Sequence, residues 1–249
     1  MKNQTKKTAW IVGASEGIGQ ELTRVLKQRG WNLIVSARNE QKLSELANEL
    51  SVETLPFDAT DKNATEKATK EAYLSLCPEV VLMNVGDYQP MSLDQFDIDI
   101  FERLNKTNYL SCVYLLSNLI PLMKEQGGGT IILNASVAGY RGLPNSAPYS
   151  SPKAALIHMA ECMAPELARE KISLKVINHG FVKSRLTQKN YFTMPFLMET
   201  KDAATRIANA MSTSSFEISF PKRLVVPMKI LRCLPYKIYF GIVNRWILQ

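Results

Sequence analysis

The chain has 249 residues, 46% hydrophobic and 21% charged, a balance that excludes disorder and suits one large domain or two small ones. Its formal charge of +7 is uneven: residues 222–249 hold six basic side chains and no acidic one, while the rest is close to neutral, which argues against a nucleic-acid-binding body. Residues 1–8 are basic, but the apolar run after them is too short for a signal peptide, and no stretch approaches the ~20 apolar residues of a spanning helix, so a soluble, cytoplasmic protein is expected.

Short apolar runs at 8–12, 33–36, 52–57, 79–84, 130–135 and 173–178 show little period-2 alternation. That is the habit of strands buried on both faces of a parallel sheet. Helical patterns lie between them at 18–29, 40–50, 61–76, 93–126 and 149–171, with Gly30 as a C-cap of the first and Asp61 as an N-cap of the third. The alternation predicts a doubly wound α/β sheet of the Rossmann type in a single domain, 1–221. Beyond Asn178 the pattern loosens. Residues 181–212 read as a lid over the carboxyl ends of the strands, 216–220 as a last strand, and 222–249 as a basic amphipathic extension. Cys77, Cys112, Cys162 and Cys233 form no Cys-x-x-Cys pair and, with only His158 and His179 available, no zinc spacing. They are expected to be buried thiols of a reducing compartment, and no metal is expected.

The first strand runs into Gly13-Ala-Ser15-Glu-Gly17-Ile18-Gly19 at the start of the first helix. Here Gly13 permits a tight turn, Gly17 lets backbone approach a pyrophosphate, and Gly19 lets helix and sheet pack closely. Further along come Asp58-Ala59, Asn84-Val-Gly86, Asn108, Ser136 and Tyr149-Ser-Ser-Pro-Lys153. A lone Tyr-x-x-x-Lys carries little weight. Together with Ser136 upstream, Asn108 before that and the glycine loop in place, it is a demanding set. From residue 8 to about 184 the chain resembles the short-chain dehydrogenase/reductase family in its single-domain form.

Tyr149 and Lys153 are four apart on a helix and share a face. An ammonium beside a phenol favours phenolate, which is expected to draw the Tyr149 pKa down and make it a general acid or base toward a carbonyl or alcohol oxygen. Ser136 is expected to hold the same oxygen. The resemblance implies that Lys153 also binds the nicotinamide ribose and that Asn108 holds a water of a proton relay. It also implies cofactor contacts at Gly13, Ser15, Gly17, Ile18, Gly19, Asp58, Ala59, Asn84, Gly86, His179 and Gly180. The second strand ends Ser36-Ala37-Arg38, with no acidic residue to receive the ribose hydroxyls. Arg38 would attract a 2′-phosphate and Ser36 would add a hydroxyl, so NADP(H) is expected over NAD(H). Glu16 speaks against that preference.

His179 stands where the family usually carries proline. Pro165 falls inside the helix after Lys153 and is expected to kink or end it; this argues against the family's usual tetramer, and a homodimer is expected. Phe181, Tyr191, Phe192, Phe196 and Met198 suit an apolar small-molecule substrate. The reaction expected is interconversion of a carbonyl and a secondary alcohol; the alternative is an NADP(H)-binding sensor or scaffold without catalysis. In the extension, Ile230, Leu231, Leu234, Ile238 and Phe240 are expected on one side and the cations on another, divided by Pro227 and Pro235. Peripheral membrane contact through 224–249 or packing over the body both fit that pattern.

Overall fold

A computed structural model describes residues 7–246 and, for Trp246, the backbone only. The basic start of the chain and its last three residues lie outside the described residues. Seven strands, β1 (Thr8–Val12), β2 (Asn32–Ser36), β3 (Glu53–Thr54), β4 (Val80–Met83), β5 (Gly129–Asn134), β6 (Ile172–His179) and β7 (Glu217–Phe220), form one sheet in the order β3-β2-β1-β4-β5-β6-β7. Every pairing is parallel. The strand order reverses between β1 and β4, which opens the ligand crevice at their carboxyl ends.

The expected doubly wound sheet is therefore present, and the layering explains the missing alternation. In β1, Trp10 and Val12 enter one core with α3 (Lys62–Ser75), α5 (Ser111–Glu125) and α6 (Ala147–Arg169). Ala9 and Ile11 enter the other with α1 (Gly17–Gln28), α2 (Glu40–Leu50) and α7 (Thr200–Ala210). Both faces are apolar because both are covered. Asp61 caps α3 as expected, accepting from the N–H of Asn63 and Ala64. Gly30 follows the Arg29 cap with φ +81°; its N–H reaches the Lys27 carbonyl and that of Trp31 the Leu26 carbonyl, a Schellman ending.

Several expectations are corrected. The strand expected at 52–57 has only two residues as an edge strand paired with β2 alone, although the N–H groups of Leu55 and Phe57 still reach the Val35 and Ala37 carbonyls. The helical pattern at 93–126 resolves into α4 (Ile98–Asn105), a π-helical segment Lys106–Leu110, and α5. Helix α6 neither ends nor divides at Pro165: the ring lies on its exposed side, where water can satisfy the freed carbonyl, and the helix continues to Arg169. Only Cys112 is buried; Cys77 is exposed in the loop between α3 and β4, and Cys162 and Cys233 face outward from helices. The stretch expected as a lid divides in two. Its second half, α7, is core, with Ala203, Ala204 and Ile207 fully buried on the α1 side. Its first half is a loop closed at its base by Lys183 N–H to Met198 O and Met198 N–H to Phe181 O. After β7 come α8 (Lys222–Cys233) and α9 (Tyr236–Trp246); Pro235 separates them, but Pro227 lies inside α8 without dividing it.

Candidate active site

The glycine loop is fixed by backbone. The N–H groups of Gly13 and Ala14 both donate to the Ser36 carbonyl, at 2.7 and 3.0 Å, and Asn84 Nδ2 donates to Gly13 O at 2.9 Å. Gly13 has φ +94°, and a Cβ there would lie 2.9 Å from the Asn84 backbone. A Cβ on Gly19 would lie 2.1 Å from Gly13 O, so helix and loop meet only because both residues are glycine. No side chain caps α1, which leaves the N–H groups of its first turn, around Ile18, for phosphate oxygens. A dinucleotide pyrophosphate fits this cradle.

Around it the expected residues divide. Ser36, expected as a cofactor contact, is turned away from the crevice: its side chain is fully buried and its Oγ accepts from Trp10 Nε1 at 2.8 Å, while its carbonyl holds the glycine turn from behind. Arg38 is exposed, with one guanidinium nitrogen 3.8 Å from Asp58 Oδ2. Asp58 Oδ1 is taken by the N–H and hydroxyl of Thr60, while Ala59 is buried beside them. Glu16 is bound on both sides, by Lys42 Nζ at 3.2 Å and Arg185 Nε at 3.1 Å. Burial pushes its pKa up, but these hydrogen bonds outweigh that and hold it below the usual carboxylate range. A neutralised Glu16 weakens the objection it raises to a 2′-phosphate.

The catalytic candidates gather at the ends of β4 and β5. Asn108, fully buried, sits in the π-helical segment, a distortion frequent at functional sites. Its Nδ2 donates to the carbonyls of Asp87 and Leu104, and its Oδ1 accepts from Asp87 N–H at 3.2 Å. Gly86 makes room for two side chains: a Cβ there would stand 3.2 Å from Asn108 Oδ1 and 3.8 Å from Lys153 Nζ. Lys153 is buried and donates to the Asn134 carbonyl at 2.7 Å; loss of water lowers its pKa to about 8. Its Nζ lies 5.8 Å from the centre of the Tyr149 ring.

Here one expectation fails. The Tyr149 phenol is not drawn down; burial pushes it up to about 12, against the hydrogen bond with Ser136, and Tyr88 adds to the rise. The physical reason is placement: the Lys153 ammonium is committed to a backbone carbonyl and lies over the ring, so loss of hydration dominates. Ser136 caps the turn after β5, accepting from Ala138 N–H at 3.2 Å. His179 ends β6 with Nδ1 2.7 Å from Gly180 O; burial lowers its pKa to about 4, against that hydrogen bond, so it is neutral at pH 7. Gly180 is pressed by the tail, a Cβ there lying 2.6 Å from Leu224 Cδ2.

Sequence reasoning missed a further wall beside Tyr149. The Tyr88 ring meets Tyr149 edge-on at 5.0 Å, and its hydroxyl donates to Asn190 Oδ1 at 2.7 Å. Lys189 donates to Tyr88 O at 2.6 Å and pairs with Asp87, which also pairs with Arg103. The loop after β6 is thus pinned to the loop after β4, and through Arg185 to the glycine loop. Asp87-Tyr88 directly continues Asn84-Val-Gly86 and offered a signal; nothing local marks Lys189 or Asn190.

The model of the family described as short chain dehydrogenase matches residues 7–194. The chain belongs to the short-chain dehydrogenase family. It is thereby an oxidoreductase of a family that binds NAD(P) and acts on small molecules. This short-chain dehydrogenase is 30% identical to an uncharacterized oxidoreductase of Myxococcus xanthus, over 98% of this chain and 99% of the relative. In fold it is similar to a short chain dehydrogenase of Burkholderia cenocepacia in complex with NADP, with TM-score 0.85, 20% identity and 96% and 97% of the two chains covered. A ribose-5-phosphate isomerase of Brucella melitensis shares the fold too, at TM-score 0.79 and 18% identity, over 86% and 89% of the chains. Such likeness shows the fold alone, so the reaction has to be argued from side chains.

Proposed function

We propose that this short-chain dehydrogenase uses NADP(H) to interconvert a carbonyl and a secondary alcohol of an apolar small molecule. The observation that carries this reading is the gathering of Tyr149, Ser136, Lys153 and Asn108 beside an uncapped helix start and the Gly86 gap. The nicotinamide, when bound, supplies or accepts the hydride. Tyr149, protonated at neutral pH, gives its proton to the carbonyl oxygen as negative charge develops there. Ser136 steadies the same oxygen by hydrogen bond. Lys153, held against the Asn134 carbonyl beside the Tyr149 ring, would bind the nicotinamide ribose when the cofactor is present, and Asn108 holds the backbone of the loop that carries Tyr88.

Arg38, exposed at the end of β2 with Ala37 in place of an acidic residue, supports the preference for a 2′-phosphate. Phe181 and Phe192, edge-on at 5.7 Å in the loop after β6, support an apolar substrate. The test mixes the protein with NADPH and a panel of aldehydes, ketones and quinones and follows absorbance of the reduced nicotinamide. Consumption with an apolar carbonyl is the expected result. Tight NADPH binding with no consumption anywhere on a broad panel would point to a nucleotide sensor instead.

A further inference from the structure

The two helices after β7 have an inward and an outward side, and the structure tells them apart. Inward, Val225, Met228, Tyr239 and Val243 are buried against the body. The Tyr239 hydroxyl donates to the Gly142 carbonyl, and the Arg141 guanidinium lies 4.5 and 4.4 Å from the rings of Tyr236 and Tyr239. The expected single apolar side of Ile230, Leu231, Leu234, Ile238 and Phe240 is therefore corrected: Leu231 and Leu234 are partly covered, while Ile230, Ile238 and Phe240 are exposed.

Outward, α8 presents Arg223, Val226 and Ile230, and α9 presents Tyr236, Lys237 and Phe240, each set spaced as one side of a helix. Val226, Ile230, Tyr236 and Phe240 are 52%, 59%, 68% and 54% exposed, and the last two stack with ring centres 5.8 Å apart. Apolar and aromatic side chains held out from two successive helices mark an interaction surface. Charge identifies its partner. Residues 222–249 contain no acidic side chain. Lys229 is taken by Glu217 and Arg232 by Glu161, whereas Arg223 and Lys237 form no ion pair among the described residues and flank the apolar row.

We propose that the outward sides of α8 and α9 dock this protein on an anionic lipid surface, with Val226, Ile230, Tyr236 and Phe240 entering the headgroup boundary and Arg223 and Lys237 meeting lipid phosphates. Aliphatic and aromatic residues on one side, with cations at its border, are the composition of an interfacial helix. A second copy fits worse: a two-fold contact through this surface would bring Arg223 and Lys237 of both copies together, and residues 222–249 supply no acidic side chain to offset them. The surface adjoins the site, because Leu224 packs at Gly180 and the residues held by the tail, Arg141 and Gly142, lead toward Tyr149. Docking would bring an apolar substrate and the site to the same boundary, but the docking itself does not rest on the proposed reaction.

The test is flotation of the full chain with phosphatidylcholine vesicles, with and without about a third phosphatidylglycerol, at low and high salt. Association with the anionic vesicles, roughly tenfold weaker on neutral ones and weakened by salt, is expected. Arg223→Glu with Lys237→Glu is expected to lower it at least about 25-fold, from about fivefold per cation lost. Val226→Ser with Phe240→Ser is expected to lower it about tenfold, both variants keeping the wild-type melting temperature and NADPH affinity. No association with anionic vesicles would overturn the proposal, as would association untouched by both pairs of substitutions. Light scattering that found a dimer of the full chain, broken by the serine pair, with no vesicle binding would overturn it in favour of a subunit contact. None of these readings uses turnover, so they stand or fall apart from the proposed reaction.

Discussion

The two sides of the crevice are built from different material. On the β1 side, the site is backbone: the N–H groups of Gly13 and Ala14, an uncapped helix start, and glycines where a Cβ would strike main chain. On the β6 side it is side chains brought from far apart, Tyr88 with Asn190, Asp87 with Arg103 and Lys189, Arg141 with Tyr236 and Tyr239. A backbone site tolerates almost no change at its glycines and serves any dinucleotide. A side-chain site can exchange members one at a time.

The comparison is sharpest at Gly19. Gly19→Ala drives a methyl to 2.1 Å from Gly13 O, and the expected loss is about 3 kcal/mol or more of stability together with NADPH affinity, read by denaturant unfolding and fluorescence titration. An alanine at the 98% exposed Tyr191 of the opposite loop is expected to shift stability by less than about 0.5 kcal/mol. Equal effects would erase the distinction. Arg38→Asp comes next. It is expected to move the ratio of NADPH to NADH dissociation constants about 10²-fold toward NADH, roughly 3 kcal/mol, by direct titration.

His179 offers a smaller and pH-dependent break. Its folded pKa of about 4 lies below the ordinary 6.5, so between those values the unfolded chain binds a proton that the folded one refuses. Stability is lost as pH falls from 6.5 toward 4, and from about pH 7 to pH 5 this one group contributes roughly 2 kcal/mol of loss. Unfolding curves of wild type and His179→Gln should diverge over that window, the variant being the less acid-sensitive. Phe192→Ala is a milder change still, expected to cost about 1 kcal/mol in kcat/KM for an apolar substrate while leaving NADPH affinity alone. A loss of NADPH affinity there would contradict the division between the two sides.

The same division governs what could be read in the sequence. Residues 8–12 form β1 as expected, and Asp61 and Gly30 sit at their helix ends, because caps and two-faced strands are set by neighbours along the chain. The glycine loop and Tyr149 with Lys153 could be placed from local spacing on a turn and a helix, whereas Asn108 and Ser136 were picked out by resemblance, since only the fold brings them near. Ser36 was misjudged because its partner, Trp10 Nε1, comes from the neighbouring strand. The Tyr149 phenol was misjudged because spacing to Lys153 says nothing of Asn134 O, which engages the ammonium. Pro165 was overweighted because its cost depends on the helix side it occupies, and that side is exposed.

The central claim is that Tyr149 carries the proton at a site whose cofactor binding is built elsewhere. Tyr149→Phe keeps the ring against Tyr88 and removes only the hydroxyl. The most direct measurement pairs NADPH binding with single-turnover reduction of whichever carbonyl the panel identifies, for wild type and Tyr149→Phe side by side. The account predicts NADPH affinity within about twofold and a reduction rate at least ~10²-fold lower. A Tyr149→Phe protein that reduced the carbonyl at the wild-type rate would contradict it.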